Sequence, residues 1–292
     1  MPIRIKNAFV ALALNHVDAW GIATIASLLA LVVHQALTMD GLWLVLVFGL
    51  GYWLAFAVND YFDAPYDQLD PAKAKGNFFI GLIDRPRVRR ILWAMFFVLV
   101  GVIAMIFLRF GWAGVIVLAV SLSVMLAYSA PPVRLKNRPG LDLLVHALFV
   151  ETFPYVATVY LIGGTWGSVD LFLVFIAFMA SLSAQLEQQL RDFEVDQATG
   201  GTSATLLGRR ATYVLLVLAT LLLIFGAVAY HMWRPLPWYL IPFAFIALPV
   251  LLHRLVRGPN RPRSRWLVYV SAAAGLIYAV SIAVYLAISA RS

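Results

Sequence analysis

The chain has 292 residues, 63% of them hydrophobic and only 12% charged, with a mean hydropathy of +0.88. A soluble domain of this length needs more polar residues to cover its core, so the composition belongs to the membrane class. With no cysteine, a disulfide framework, a thiolate nucleophile and a sulfur-ligated metal are excluded. The net charge of +8 follows from topology, as shown next, and does not call for nucleic acid.

The chain begins MPIRIKNAFVALALNHVDAW, basic and then apolar. It has no clear small-residue cleavage site and runs on into a longer apolar span, so it reads as retained. A helix needs about twenty apolar residues to cross a bilayer, at roughly 1.5 Å per residue. Nine stretches qualify: 17–37, 41–62, 88–108, 111–129, 141–162, 168–190, 208–231, 236–254 and 266–289. The expected fold is therefore all-α, a multi-pass membrane protein with nine transmembrane helices and a single domain over 1–292. With the N-terminus in the cytoplasm, every one of the 22 basic residues except Arg109, Arg234 and Arg291 falls on the cytoplasmic side. The positive-inside bias thus gives the orientation. The longer connections, 63–87, 130–140, 191–207 and 255–265, lie on that same side, where function tends to concentrate. A faint internal repeat relates the second and sixth spans, which both run toward the cytoplasm and end in acids.

The second span ends VNDYFDAPYDQLD, with Asn59, Asp63 and Asp67 at i, i+4 and i+8; in a continuous helix they share one face. The sixth span ends EQQLRDFEVD, where Gln188, Asp192 and Asp196 repeat the spacing. Like charges so placed repel by a few tenths of a kcal/mol on an exposed helix, and more where a membrane lowers the dielectric. A cation is therefore expected between them. Magnesium suits the pattern, being held by one or two carboxylates with water and phosphate oxygens. Acids at a span end can also merely mark the membrane boundary; two clusters of equal spacing on equivalent spans, each beside basic loops, argue for a site. Pro65 removes one helical hydrogen bond, at about 3 kcal/mol, so the second span is expected to kink or end there, with Asp67 reaching inward from a loop.

Asn59-Asp60-x-x-Asp63-x-x-x-Asp67 resembles the first signature of the UbiA superfamily of intramembrane prenyltransferases, and Asp192-Phe193-Glu194-Val195-Asp196 with Gly200 and Thr202 resembles the second. Tyr128-Ser129-Ala130-Pro131-Pro132-x-Arg134-x-Lys136, leading into Arg138-Pro139-Gly140-x-Asp142, resembles the motif after the fourth span. The likeness covers most of the chain. It implies a helical bundle around a central cavity under a cytoplasmic cap, with Mg2+ and the diphosphate of an allylic donor held by the two motifs. Carried over, Asn59, Asp63, Asp67, Asp192 and Asp196 form the metal set. Lys73 or Lys75, Tyr128, Arg134, Lys136 and Arg191 contact phosphate oxygens. The sequence departs from the pattern at Gln188 and Gln189, where relatives often carry Asn or Asp. It departs at Asn15-His16-Val17, where Ser-Arg-Pro is common, and at Lys73-Ala74-Lys75, where Arg-Pro is common.

Glu151 lies about 13 Å into the fifth span at helical rise, where an acid is costly. It either orients or deprotonates the acceptor as a catalytic group beside Asp63 and Asp192, or is a neutral, hydrogen-bonded side chain. His146, on the Asp142 face, reads as a packing histidine. Asp18 and Asn15 either mark the interface, the favoured reading, or line the cavity mouth, and Arg254, Arg257, Arg261, Arg263 and Arg265 read as topology. Most tryptophans stand near span ends as an interfacial belt, while Phe56, Phe149, Phe153 and Tyr155 are candidates for lining the cavity. The implied activity is magnesium-dependent transfer of a prenyl group to a lipophilic acceptor, an aromatic or quinone precursor or a carotenoid, among membrane lipids. The stretch Tyr128-Ser129-Ala130-Pro131-Pro132 and the Asp70-Pro71-x-Lys73 loop are somewhat similar to carotenoid elongases. A cyclase of the same superfamily, a polytopic transporter and a non-catalytic lipid-binding subunit are the alternatives.

Overall fold

The structure is a computed structural model that describes residues 16–69, 74, 76–199, 201–261 and 264–289. All regular elements among these residues are helical. The helices are α1 Val17–Val33, α2 Met39–Asp67, α3 Pro86–Leu108, α4 Gly111–Ser129, α5 Leu141–Leu161 and α6 Ser168–Arg191. Two short helices, α7 Phe193–Thr199 and α8 Ser203–Leu207, lead into α9 Arg209–Trp233, α10 Ile241–Val256 and α11 Arg265–Ser289. Among the described residues eight helices are long and apolar enough to cross a membrane. The stretch expected as the first of nine spans is α1, whose 17 residues fall short of that length.

Local chemistry sets the boundaries. Thr38 caps α2, its hydroxyl accepting from the Gly41 amide at 3.1 Å, and Asp40 stands in the first turn where the helix dipole favours an acid. Pro86 opens α3, where its missing N–H costs nothing. Pro65 does not end α2. The helix runs through it to Asp67, because a proline in the last turn forfeits a single bond, and the Gln68 side-chain amide closes the end by donating to the Pro65 carbonyl at 3.0 Å. The second acidic set shows the reverse. There α6 stops at Arg191 and the backbone turns at Asp192 before α7 begins.

Most of the buried core falls into two halves, with two smaller clusters besides. One half joins Leu44, Val47 and Phe48 of α2 to Ile103 and Phe107 of α3 and Val117 of α4. The other joins Met179, Leu186 and Leu190 of α6 to Leu216, Ala219 and Leu223 of α9 and Leu251 of α10. Between them α1 packs on α2, α5 and α11, with Ser27 and Thr158 hydrogen bonded at 2.8 Å. Outward faces are apolar, as at Ile91, Phe97, Phe225 and Ile277, which suits lipid. Helices in lipid associate by close contact, not by hiding apolar surface from water. Gly114 illustrates this, since a Cβ there would stand 1.8 Å from the Phe107 carbonyl oxygen at the α3–α4 corner. Gly114→Ala is expected to destabilise the protein by about 1–3 kcal/mol through overpacking. Gly101→Ala, with nothing within 4 Å of the added carbon, should be neutral or slightly stabilising. Thermal unfolding in detergent compares the two.

Candidate active site

A cavity of about 280 Å³ opens between α2, α3, α4, α5 and the end of α6. Its polar end is walled by Asn59, Asp63 and Asp67 from α2, Tyr128 and Ser129 from α4, Arg134 and Lys136 from the following loop, and Gln188, Asp192 and Asp196 from α6 and α7. The two acidic helix ends, 129 positions apart at Asn59 and Gln188, thus meet on one space.

The first set is tightly wired. Asn59 donates to Asp63 at 3.0 Å, and its amide oxygen accepts from Ser129 at 3.2 Å and from the Lys136 ammonium at 2.8 Å. Lys136 also pairs with Asp63, and Arg134 reaches the same carboxylate at 2.8 Å. Arg134 takes a left-handed backbone conformation just after the cis Pro131–Pro132 bond, and its guanidinium lies 4.0 Å over the Tyr66 ring. Burial lowers the Lys136 ammonium below the ordinary lysine value, while the charge of Asp63 beside it pulls the other way. Asp67 accepts from the Asn77 side chain at 2.8 Å, and Asn77 also donates to the Asp60 carbonyl at 2.8 Å. Asp67 therefore faces the cavity from the helix end, with the following loop tied to it.

In the second set Arg191 grips Asp192 with two bonds, of 2.8 and 3.0 Å. Gln189 also lines the cavity, but its side-chain amide is committed to the fold. Its amide donates to Asp142 at 2.7 Å and accepts from the Ala204 amide at 3.1 Å. Asp142 is fully buried and also accepts from the Ser203 amide and hydroxyl at 2.6 and 2.5 Å. That node pins α8 to α5 and α6, so the glutamine that departs from the family pattern serves the fold. Every oxygen donor in the two sets is hard, which fits magnesium. Among the described residues no three acid or histidine side chains converge on one point; magnesium is commonly held by one or two carboxylates together with water or phosphate oxygens.

Lys73 and Lys75 lie outside the described residues, as does Asn15. Glu151 does not wall the cavity and stands within electrostatic reach of Arg254. Phe56, Phe149 and Phe153 wall the cavity, but Tyr155 does not; it is 2% exposed and donates to Asp170 at 2.7 Å. Leu148–Thr152 of α5 form a π-helical turn, and the Tyr52 hydroxyl donates to the Phe149 carbonyl there. Two of the arginines read as topology are buried instead. Arg254 and Arg257 each pair with Glu187 at 3.0 Å, and Arg254 donates to Ser183 at 2.6 Å. Sequence reasoning missed Glu187, Asn77 and the Asp142–Gln189–Ser203 node; the signal available was a glutamate one turn inside an otherwise apolar span.

The UbiA prenyltransferase family matches residues 19–276. Among curated proteins the chain is 27% identical over 184 residues to a lycopene elongase/hydratase of Corynebacterium glutamicum, covering 62% of this chain and 63% of that protein. It is 29% identical over 172 residues to a lycopene elongase/hydratase of Haloarcula japonica, covering 58% and 55%. The matches thus span less than two thirds of those relatives. Among solved structures, a UbiA homolog from Archaeoglobus fulgidus bound to GPP and Mg2+ superposes with a TM-score of 0.71 at 15% identity, covering 94% of this chain and 99% of that one. The same protein bound to DMAPP and Mg2+ gives 0.69, with 94% and 98% covered. Those superpositions establish the shared fold, and the family match over nearly the whole chain establishes that it belongs to the UbiA prenyltransferase family.

Proposed function

We propose that the chain is a single-domain, magnesium-dependent prenyltransferase that joins an allylic diphosphate to a lipophilic isoprenoid acceptor within the membrane. The observation that carries this reading is one cavity walled by both acidic helix ends and by Arg134 and Lys136, continuing into an apolar pocket of Val47, Phe48, Ile103, Phe107 and Leu122. Asp63, Asp67, Asp192 and Asp196, with Asn59, would hold magnesium ions, which would supply positive charge against the departing diphosphate. Arg134 and Lys136 now rest on Asp63, and in the complex they turn to phosphate oxygens, as does Arg191. Tyr128 adds a hydroxyl, and Lys73 or Lys75 completes the set. The apolar wall excludes water, and Phe149 and Phe153, with ring centroids 5.0 Å apart, present faces to an allylic cation. The names of the relatives, and the apolar wall, favour a polyene acceptor over an aromatic ring. The N-terminus and the acidic loops lie on the cytoplasmic side, by the distribution of basic residues.

The test incubates purified protein with Mg2+, allylic diphosphates of several lengths, and either lycopene or an aromatic acid. Pyrophosphate release with a heavier polyene is the expected result. Release only with the aromatic acid moves the acceptor, release with no acceptor indicates a cyclase, and no release in any mixture overturns the reading.

A further inference from the structure

The prenyl-transfer reading leaves one step without a residue. When an alkene acceptor attacks the allylic centre, the C–O bond breaks with its electrons leaving on the diphosphate, and the acceptor's π electrons form the new C–C bond. A carbocation then remains on the acceptor. A proton must leave the neighbouring carbon, its C–H electrons becoming the new double bond, before an uncharged product can depart.

His146 is among the residues that wall the cavity. It lies five residues into α5, about 7 Å from the helix start at helical rise. Its tautomer follows from counting protons. The single hydroxyl proton of Ser181 is donated to the His146 carbonyl at 3.0 Å. The 3.1 Å contact between His146 Nδ1 and Ser181 Oγ therefore has the imidazole donating. Nδ1 carries the hydrogen, and Nε2 keeps its lone pair. Nε2 has no hydrogen-bond partner among the described residues, on a ring that walls the cavity. Of the cavity's other polar groups, the Tyr52 hydroxyl donates to the Phe149 carbonyl, Ser121 donates to Val117 at 2.7 Å, and His16 pairs with Asp60 at 3.1 Å.

Resting on the prenyl-transfer reading, we propose that His146 Nε2 is the base that removes this proton, with Ser181 as the positioning residue that fixes its tautomer. The imidazolium formed passes the proton to water or to the departing diphosphate, which balances the reaction.

The experiment follows product mass, pyrophosphate release and binding of Mn2+ with inorganic pyrophosphate for the wild type and three variants. His146→Gln should bind Mn2+ and pyrophosphate as the wild type does. It should form the proton-loss product at least about 100-fold more slowly, the size of a general-base contribution, with a water-captured alcohol in its place. Ser181→Ala should show a smaller loss of the same kind, and Ser181→Thr, which restores the hydroxyl, should recover it. Wild-type rate and product from His146→Gln overturn the assignment, as does a loss of pyrophosphate binding that parallels the loss of rate. If His146→Gln does not fold, equal rates for Ser181→Ala and Ser181→Thr overturn it. A wild type that turns over no allylic diphosphate overturns the prenyl-transfer reading itself, whereas wild-type turnover with an unaffected His146→Gln overturns only the base.

Discussion

Asp63→Ala and Asp192→Ala are each expected to lower turnover of an allylic diphosphate by about 10²–10³-fold or more, the scale of losing a principal electrostatic contact to a developing charge. Asp63 is the meeting point of Asn59, Arg134 and Lys136, and Asp192 is held by both arms of the Arg191 fork. Both face the cavity, so their loss leaves the helix packing intact and the protein folded. Asp63→Ala should also raise the magnesium concentration needed for half-maximal rate. The double variant should fall no further than a small factor below the worse single one, because the two acids act as a unit. Pyrophosphate release across a magnesium series measures all three. Wild-type rates in both single variants would remove the acidic helix ends from the chemistry.

The largest effect on stability is expected at Glu187, 1% exposed between Arg254 and Arg257. Glu187→Ala leaves two buried guanidinium groups without their carboxylate, and breaking such a pair costs about 3–5 kcal/mol. The network ties α6 to α10 five residues before Asp192, so the acidic end of α6 should loosen as well. Glu187→Leu combined with Arg254→Met should be less damaging than Glu187→Ala, since it removes charge from both sides. Denaturant unfolding in detergent checks the order, and a Glu187→Ala protein as stable as the wild type would rule the network out as a fastening.

What the sequence determined by itself was whatever one helix can encode. Span positions such as 111–129 and 168–190 were legible because bilayer thickness demands a fixed length of apolar chain, and the acidic spacing was legible because i, i+4 and i+8 lie on one helical face. The basic loops and the motif order carried the family in the same local way. Even there the backbone differed in detail: α2 continued through Pro65, and the break fell at Asp192.

Only the tertiary structure decided which face of each helix looks inward. A membrane helix is apolar toward lipid and toward its neighbours alike, so the pattern that marks a buried face in a soluble protein is missing. Hence Tyr155, a candidate for the cavity wall, proved to be committed to Asp170, to which His34 also bonds across 136 positions of sequence. Gln189 proved to be bound to Asp142, and Arg254 to Glu187. His146, read as packing, proved to wall the cavity with one ring nitrogen against Ser181. Each of these depends on how helices distant in sequence are rotated against one another, which packing sets and local sequence does not record.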